Sequence, residues 1–244
     1  MSILDVLSQI QQIAIELYRV RDEFQRKLSE WAPRFIEAFE AIPDTERVLL
    51  NRLAAHGWYP EPWTMTTSQL VTLAAMSDGA EVDRHLCRVF TRELASIEER
   101  LTKAHPGRAR ILSQAFAAHR DGRYALSVPV FLAQADGLCY EKTEGHLYNA
   151  RALLRLLDEF AAAGGDRFAE AALAPFAPEL PISANQRARS TMAVAGRRIV
   201  GPNRHLVLHG VDTDYDTEEN SLRAVAWLQY VNYVFFEEGG WPQP

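Results

Sequence analysis

Apolar residues recur at steps of three and four along most of the chain, and this periodicity limits the fold more than any other feature of the sequence. Residues three and four apart lie on the same face of an α-helix, so the pattern is typical of amphipathic helices. Few segments show the strict alternation of apolar and polar residues that a half-buried strand requires. We therefore predict an all-α protein built as a helical bundle.

Prolines and glycines divide the periodic pattern into separate helices. The predicted helices cover about residues 2–32, 33–43, 44–57, 67–76, 80–103, 108–119, 124–140, 144–163, 166–174, 184–196 and 217–236. The breakers at residues 105–107 (His-Pro-Gly) are the candidate domain boundary. We therefore predict a helical region over 1–105, suited to binding a partner or forming a dimer, and a second helical domain over 106–244.

Composition excludes several classes of protein. The two cysteines, Cys87 and Cys139, are far apart and lack a CxxC spacing, which disfavours a disulfide framework or a cysteine zinc site. The first segment, residues 3–18, is interrupted by polar residues and does not resemble a signal peptide. No run of about 18 apolar residues is present that could span a membrane. These features predict a cytoplasmic protein with reduced thiols and no contact with a membrane.

Charge is unevenly distributed along the chain, whose formal net charge is −6. An acidic total disfavours indiscriminate binding of nucleic acid. Between Glu179 and Asp212, however, the chain has no acidic residue and five arginines, which are Arg187, Arg189, Arg197, Arg198 and Arg204. This local basic segment is compatible with phosphate binding, and equally with a solvated loop and helix face.

Motifs for nucleotide, zinc and serine chemistry are missing from the sequence. It contains no GxxxxGK[ST] or GxGxxG loop, no GxSxG elbow and no HExxH helix. The acidic run that begins at Asp212 resembles the start of a calcium loop, but its sixth position is Thr217 and its twelfth is Arg223. A calcium loop needs glycine and a bidentate glutamate at those positions. We therefore expect neither a metal nor a cofactor.

Arg204 and His209 are the most informative pair in the sequence. Pro202 is suited to the first turn of a short helix and Gly210 to its end, and His205 lies four residues before His209 on a shared face. A guanidinium can hold a phosphate in a bidentate fork and stabilise developing charge. An imidazole titrates near neutral pH and can transfer protons to and from ribose and phosphate oxygens. Together these groups favour phosphodiester cleavage without a metal.

The surroundings of this pair resemble the motif region of HEPN-type proteins, whose signature is an Arg, usually a polar residue, and a His within an R-x4–6-H span. The likeness is carried by residues 202–210 (PNRHLVLHG), 214–215 and 220–222. Residues 124–137 resemble the first core helix of that group. The resemblance covers about residues 108–236. Two features depart from the family pattern: a glycine directly after the histidine, and the 38-residue span 166–203 before the motif.

The resemblance implies a homodimer in which two motif helices form a basic, RNA-cleaving cleft, often in a toxin or phage-defence context. His209 would be the general acid and base, Arg204 the phosphate clamp, and His205 an assisting residue. Four further residues would orient the motif or bind RNA, namely Asn203, Asp136, Arg197 and Arg198. The other interpretation of Asp136 is a residue that ends its helix ahead of Gly137.

Two alternatives remain open at the level of sequence. In the first, the chain is a non-catalytic helical protein that binds a partner through its N-terminal helices. Arg204 would then bond to the acidic loop 212–216, and His209 would cap backbone carbonyls. In the second, the Arg/His cleft holds a nucleotide without cutting RNA.

Overall fold

A computed structural model describes residues 44–61, 63–76, 78–147, 171–176, 181–184, 190 and 200–237. Helices and turns make up this part of the chain, which contains no strand, so the predicted all-α fold is confirmed. The predicted helices within 1–43, 148–170 and 185–199 lie outside the described residues.

Seven helices are described, in addition to two short 3₁₀ turns. They are α1 (44–54), α2 (Thr67–Ala74), α3 (Gly79–Ala104), α4 (Ala109–Arg120), α5 (Tyr124–Thr143), α6 (Arg204–Leu208) and α7 (Glu218–Phe236). The 3₁₀ turns are Pro106–Arg108 and Ala174–Phe176, the latter preceded by helical residues 171–173. α5 ends at Thr143 and Glu144 adopts a left-handed conformation, so the helix predicted from 144 does not begin there.

Local chemistry explains where the long helices begin. The Asp78 carboxylate caps α3 by accepting from the Ala80 N–H, and Glu81 lies in the first turn, where it complements the helix dipole. One face of this helix carries an apolar stripe that is buried, namely Val82, Leu86, Val89, Phe90, Leu94, Ile97 and Leu101. α7 is capped by Thr217, whose hydroxyl accepts from the Asn220 N–H. Thr217, and not Asp216 before it, is therefore the N-cap of α7.

α7 lies at the centre of the bundle. It packs against α3 and α5, and α4 packs against both of those helices. Residues 221–232 are all buried, together with Val234 and Phe235. Aromatic side chains fill the space around this helix, since Trp227 contacts both Tyr59 and Phe176. The core therefore surrounds α7 on every side.

α5 contains Pro129, and a backbone carbonyl one turn before this proline binds the loop that precedes α7. Pro129 has no N–H, so the carbonyl of Ala125 cannot receive the usual helical hydrogen bond. The Tyr215 hydroxyl donates to this carbonyl instead, at 3.1 Å. Because of Pro129, the Ala125 carbonyl can accept a hydrogen bond from the 211–217 loop. This loop follows α6 directly.

All the described residues belong to one compact unit, residues 43–244. Residues on both sides of His105 contribute to one hydrophobic cluster, for example Leu86 and Val225. The division at residue 105 stays a prediction. Within the described part of the chain, no helix combines the length and apolarity needed to cross a bilayer.

Candidate functional site

The motif helix α6 is a single short turn that is fixed at both ends. The Asn203 side chain caps it by accepting from the Leu206 N–H at 3.2 Å. His209 is the C-cap residue, and Gly210 follows in the left-handed conformation (φ 68°) that glycine adopts without strain. The helix predicted over this segment is therefore present, although Pro202 precedes the cap rather than opening the first turn.

Arg204, His205 and His209 are brought together on this helix. The rings of His205 and His209 stack with their centroids 6.1 Å apart and their planes 17° apart. The Arg204 guanidinium donates to Nδ1 of His205 at 3.3 Å. Because Nδ1 accepts this bond, the proton of a neutral His205 ring belongs on Nε2. Arg204 and His205 are half-buried and His209 is exposed, so the pair of rings extends from the protein surface into solvent.

Asn203 is buried, and its whole side-chain amide is used within the protein. Its Nδ2 donates to the carbonyls of Pro181 at 2.6 Å and Ala184 at 3.0 Å, in addition to the cap made by Oδ1. The Arg204 N–H donates to the carbonyl of Ile182 at 3.0 Å. These bonds fasten α6 to residues 181–184. Asn203 therefore positions the motif, and the hydrogen bonds leave its amide little capacity for a ligand.

Asp136 lies inside α5, which continues beyond it to Thr143, so it does not end that helix. One carboxylate oxygen accepts from the Leu147 N–H at 2.8 Å, and the other lies 3.1 Å from Nδ1 of His146. The carboxylate therefore holds the turn that follows α5. A role of Asp136 in orienting the motif or binding RNA stays a prediction.

The remaining predicted binding residues, Arg197 and Arg198, lie outside the described residues. The acidic loop that follows α6 folds back onto it, because the N–H groups of Val211 and Asp212 both donate to the carbonyl of Leu206. Oδ1 of Asp212 accepts from the Asp214 N–H at 3.0 Å. Among the described residues, no group of three or more metal-binding side chains occurs.

Sequence reasoning missed an arginine in the core. Arg223 is 3% exposed, and its Nη2 lies 2.8 Å from Oδ1 of Asp83. It also pairs with Glu219, and its guanidinium carbon lies 5.1 Å from the ring centroid of Trp58. A Cβ added at Gly201 would lie 2.8 Å from Cδ of Arg223, so this glycine gives the side chain its space. An arginine within an otherwise apolar helix is the signal that could have identified this cluster.

Two further buried polar residues, His119 and Glu61, were not predicted from the sequence either. His119 is buried among α4, α5 and α7, where its Nδ1 lies 2.8 Å from Oγ of Ser221, which lies 2.7 Å from Oγ of Ser127. Burial lowers the pKa of His119. Glu61 is 1% exposed, and burial raises the pKa of its carboxyl. Neither residue belongs to a recognisable motif.

No protein-family model, curated protein or solved structure matches the chain. The likeness to HEPN-type proteins therefore rests on the motif residues themselves.

Proposed function

We propose that the chain is a metal-independent endoribonuclease of HEPN type that acts as a dimer in the cytoplasm, in a toxin or phage-defence context. The observation that carries the proposal is the cluster of Arg204, His205 and His209 on one capped turn. It supplies a phosphate-binding cation, an exposed imidazole able to transfer protons and a second imidazole that assists, all within one short segment. The acid-free stretch 180–211 adds a basic setting for RNA.

The reaction assigned to this cluster is an internal transesterification. One imidazole takes the proton of a ribose 2′-hydroxyl, and the 2′-oxygen attacks the adjacent phosphorus. The bond from phosphorus to the 5′-oxygen breaks, and the second imidazole protonates that oxygen as it leaves. The products are a 2′,3′-cyclic phosphate and a 5′-hydroxyl. Arg204 stabilises the charge that develops on the non-bridging oxygens.

Individual roles follow from exposure and hydrogen bonding. His209 is exposed and can approach a bound strand, which suits the acid and base role. His205 has its Nδ1 occupied by Arg204 and its proton on Nε2, so it assists by donating a hydrogen bond to RNA. The two imidazoles that take and give the proton are the His209 rings of the two protomers of the dimer. Asn203 acts as a positioning residue. Residues 1–105 would provide the surface for a protein partner.

Cleavage of a single-stranded RNA in EDTA tests the proposal. His209→Ala should lower the rate on the order of 10²–10⁴-fold, and Arg204→Ala on the order of 10²–10³-fold. His85→Ala, which removes a half-buried histidine on α3, is the matched control and should leave the rate unchanged. Sedimentation of the wild type should give the mass of a dimer.

A substrate with a 2′-deoxyribose at the cleaved position should resist the enzyme, and normal substrates should yield 2′,3′-cyclic phosphate ends. Cleavage that survives both substitutions, or that EDTA abolishes, would exclude the mechanism. RNA or nucleotide binding that depends on Arg204 but produces no cleavage would instead support the nucleotide-binding alternative.

A further inference from the structure

An open cleft of about 700 Å³ lies between the first half of α3 and the first turn of α7. We refer to it as the Glu219 cleft. Sites for small molecules typically have about 300–1,000 Å³, so this cleft has room for a ligand of the size of a nucleotide. Its described lining consists of Ala80, Asp83, Arg84, Cys87, Arg88 and Glu219. The cleft is therefore distinct from the motif cluster on α6.

Asp83 and Glu219 supply the acceptors of the cleft. Both pair with the buried guanidinium of Arg223, Asp83 through Oδ1 and Glu219 through Oε1, so the two carboxylates are neighbours. Trp58 also donates to Oδ1 of Asp83, at 2.8 Å. Within the described part of the chain, no hydrogen bond is donated to Oδ2 of Asp83 or Oε2 of Glu219. The side chains are 20% and 44% exposed, so a ligand can reach both carboxylates.

Arg84 and Arg88 supply the donors of the cleft. They lie one turn apart on α3, and Nε of Arg88 donates to the Arg84 carbonyl at 3.3 Å, so this side chain runs back toward Arg84. Nη2 of Arg84 lies 3.8 Å from Asp78, too far for a direct hydrogen bond. Among the described residues, no carboxylate pairs with Arg88. Both guanidinium groups therefore keep donors for a phosphate, which arginine binds in a bidentate fork.

The charges around the cleft suit a ligand that combines an anion with neutral hydrogen-bond donors. The two carboxylates share the positive charge of Arg223, and the two arginines of the lining add two more charges. Three guanidinium groups thus face two carboxylates, and an anion is attracted to the arginine side. Burial raises the pKa of Cys87 to about 11, so its thiol is neutral at neutral pH and adds no negative charge.

Guanine is the nucleobase that best matches the acceptors of the cleft. A carboxylate only accepts hydrogen bonds, and the Watson–Crick edge of guanine has two adjacent donors, N1–H and the 2-amino group. On the same edge, adenine and cytosine have one donor beside an acceptor, and uracil has one donor between two acceptors. Carboxylates therefore favour guanine and disfavour uracil.

The cleft borders the motif segment at two points. Gly201, just ahead of α6, packs against the side chain of Arg223, since a Cβ at this glycine would lie 2.8 Å from Cδ of the arginine. Glu219 lies in the first turn of α7, which follows the 211–217 loop. The cleft is therefore a neighbouring surface for a strand held at the motif.

We propose that the Glu219 cleft binds a guanine nucleotide, with the base on Asp83 and Glu219 and the phosphate on Arg84 and Arg88. The inference rests on the proposed function in one respect, namely that this nucleotide belongs to the RNA strand cut at the motif. The cleft then selects RNA that has a guanine near the cleaved bond.

Isothermal titration of the full chain with mononucleotides tests the cleft without requiring cleavage. GMP should bind one site with a Kd on the order of 0.1–1 mM, as a ligand of this size allows. IMP lacks only the 2-amino donor and should bind about tenfold more weakly, because one hydrogen bond to a charged group is lost. UMP should show no binding. Since the titration cuts no bond, it can fail while the RNA cleavage assay succeeds, and the reverse.

Substitutions separate the two halves of the cleft. Arg88→Gln should weaken GMP about fivefold or more and leave guanosine, which has no phosphate, unchanged. Glu219→Gln should weaken GMP by a similar factor and reduce its advantage over IMP. Arg92→Gln and Glu99→Gln change exposed residues of α3 outside the described lining and should have no effect. In the cleavage assay, Arg88→Gln should raise KM for RNA and leave kcat unchanged.

The exposed position of Arg88 keeps the test decisive even if Glu219→Gln does not fold. The proposal is overturned if GMP fails to bind, if GMP binds no better than IMP or UMP, or if either substitution leaves GMP binding unchanged in a folded variant.

Discussion

The Asn203 side chain makes three hydrogen bonds with the protein, so it is the residue on which the motif helix depends. Asn203→Ala removes the N-cap, which contributes about 1 kcal/mol. It also leaves the carbonyls of Pro181 and Ala184 without this donor. Since unsatisfied buried carbonyls are costly, we expect the free energy of unfolding to fall by about 2–4 kcal/mol, as measured by urea denaturation.

Asn220→Ala is the matched control for this experiment. Asn220 is half-buried, and its Nδ2 makes one bond to the carbonyl of Tyr215 at 3.1 Å. Its loss should cost about 1 kcal/mol or less. Equal losses in the two variants would mean that the buried bonds of Asn203 do not stabilise the fold.

Local patterns predicted the short motif helix, because its ends and the spacing of its side chains depend on neighbouring residues in the sequence. A four-residue step was enough to place His205 and His209 together, and a glycine was enough to end the helix. The buried role of Asn203 could not be predicted in this way. Its partner carbonyls lie 22 and 19 residues earlier in the chain, and no local rule identifies them.

At the scale of helices, α7 shows the limit of periodicity. Apolar residues recur at steps of three and four along this helix, at Leu222, Val225, Leu228, Val231 and Phe235, and these residues are buried. Nine of the other fourteen residues of the helix are buried too, including Gln229 and Asn232. An amphipathic pattern reports one contact face, whereas the number of neighbours around a helix is decided by tertiary packing. The central position of α7 was therefore not predictable.

Arg223 joins α7 to α3, and its removal should weaken the contact between these helices. Arg223→Met keeps the apolar length of the side chain but removes its bonds to Asp83 and Glu219. Breaking a buried pair usually costs 3–5 kcal/mol. Because Asp83 and Glu219 are partly exposed and can be hydrated, we expect a loss of about 2–4 kcal/mol in chemical denaturation.

The control is another arginine–carboxylate pair that joins two helices. Arg120 of α4 pairs with Glu98 of α3 at 2.5 Å, and its side chain is 48% exposed. Arg120→Met should cost about 1 kcal/mol or less, since exposed ion pairs contribute little. A loss for Arg223→Met no greater than this control would contradict a stabilising role for the buried cluster.

On the scale of the whole molecule, the fold class could be predicted from periodicity, but the contacts between polar groups of different helices could not. His119, Ser127 and Ser221 come from three different helices and meet in the core. Each is unremarkable in its own segment. Their meeting depends on how α4, α5 and α7 pack, and this information is spread over about 100 residues of sequence.

These buried groups also determine how stability changes with pH. Burial lowers the pKa of His119 from its ordinary value of 6.5, with a smaller lowering by Arg120 and an opposing effect of Glu218. Between pH 6.5 and the lower pKa of the folded state, the unfolded chain therefore binds more protons than the folded one. Stability should rise with pH in this window and fall on acidification. Glu61, whose pKa is raised from 4.5, acts in the opposite direction above that pH.

His119→Gln should flatten the acid side of this profile, because glutamine can still hydrogen-bond Ser221 but does not titrate. Urea midpoints measured at pH 5, 6, 7 and 8 should show a smaller decrease below pH 6.5 for the variant than for the wild type. Glu61→Gln should have the opposite effect on the profile. It removes a carboxyl that binds a proton more readily in the folded protein than in the unfolded chain, so stability should rise more steeply with pH. Parallel profiles for His119→Gln and the wild type would show that the buried imidazole is not responsible, and acid loss would then have to come from carboxylates that the folded protein stabilises in their charged form.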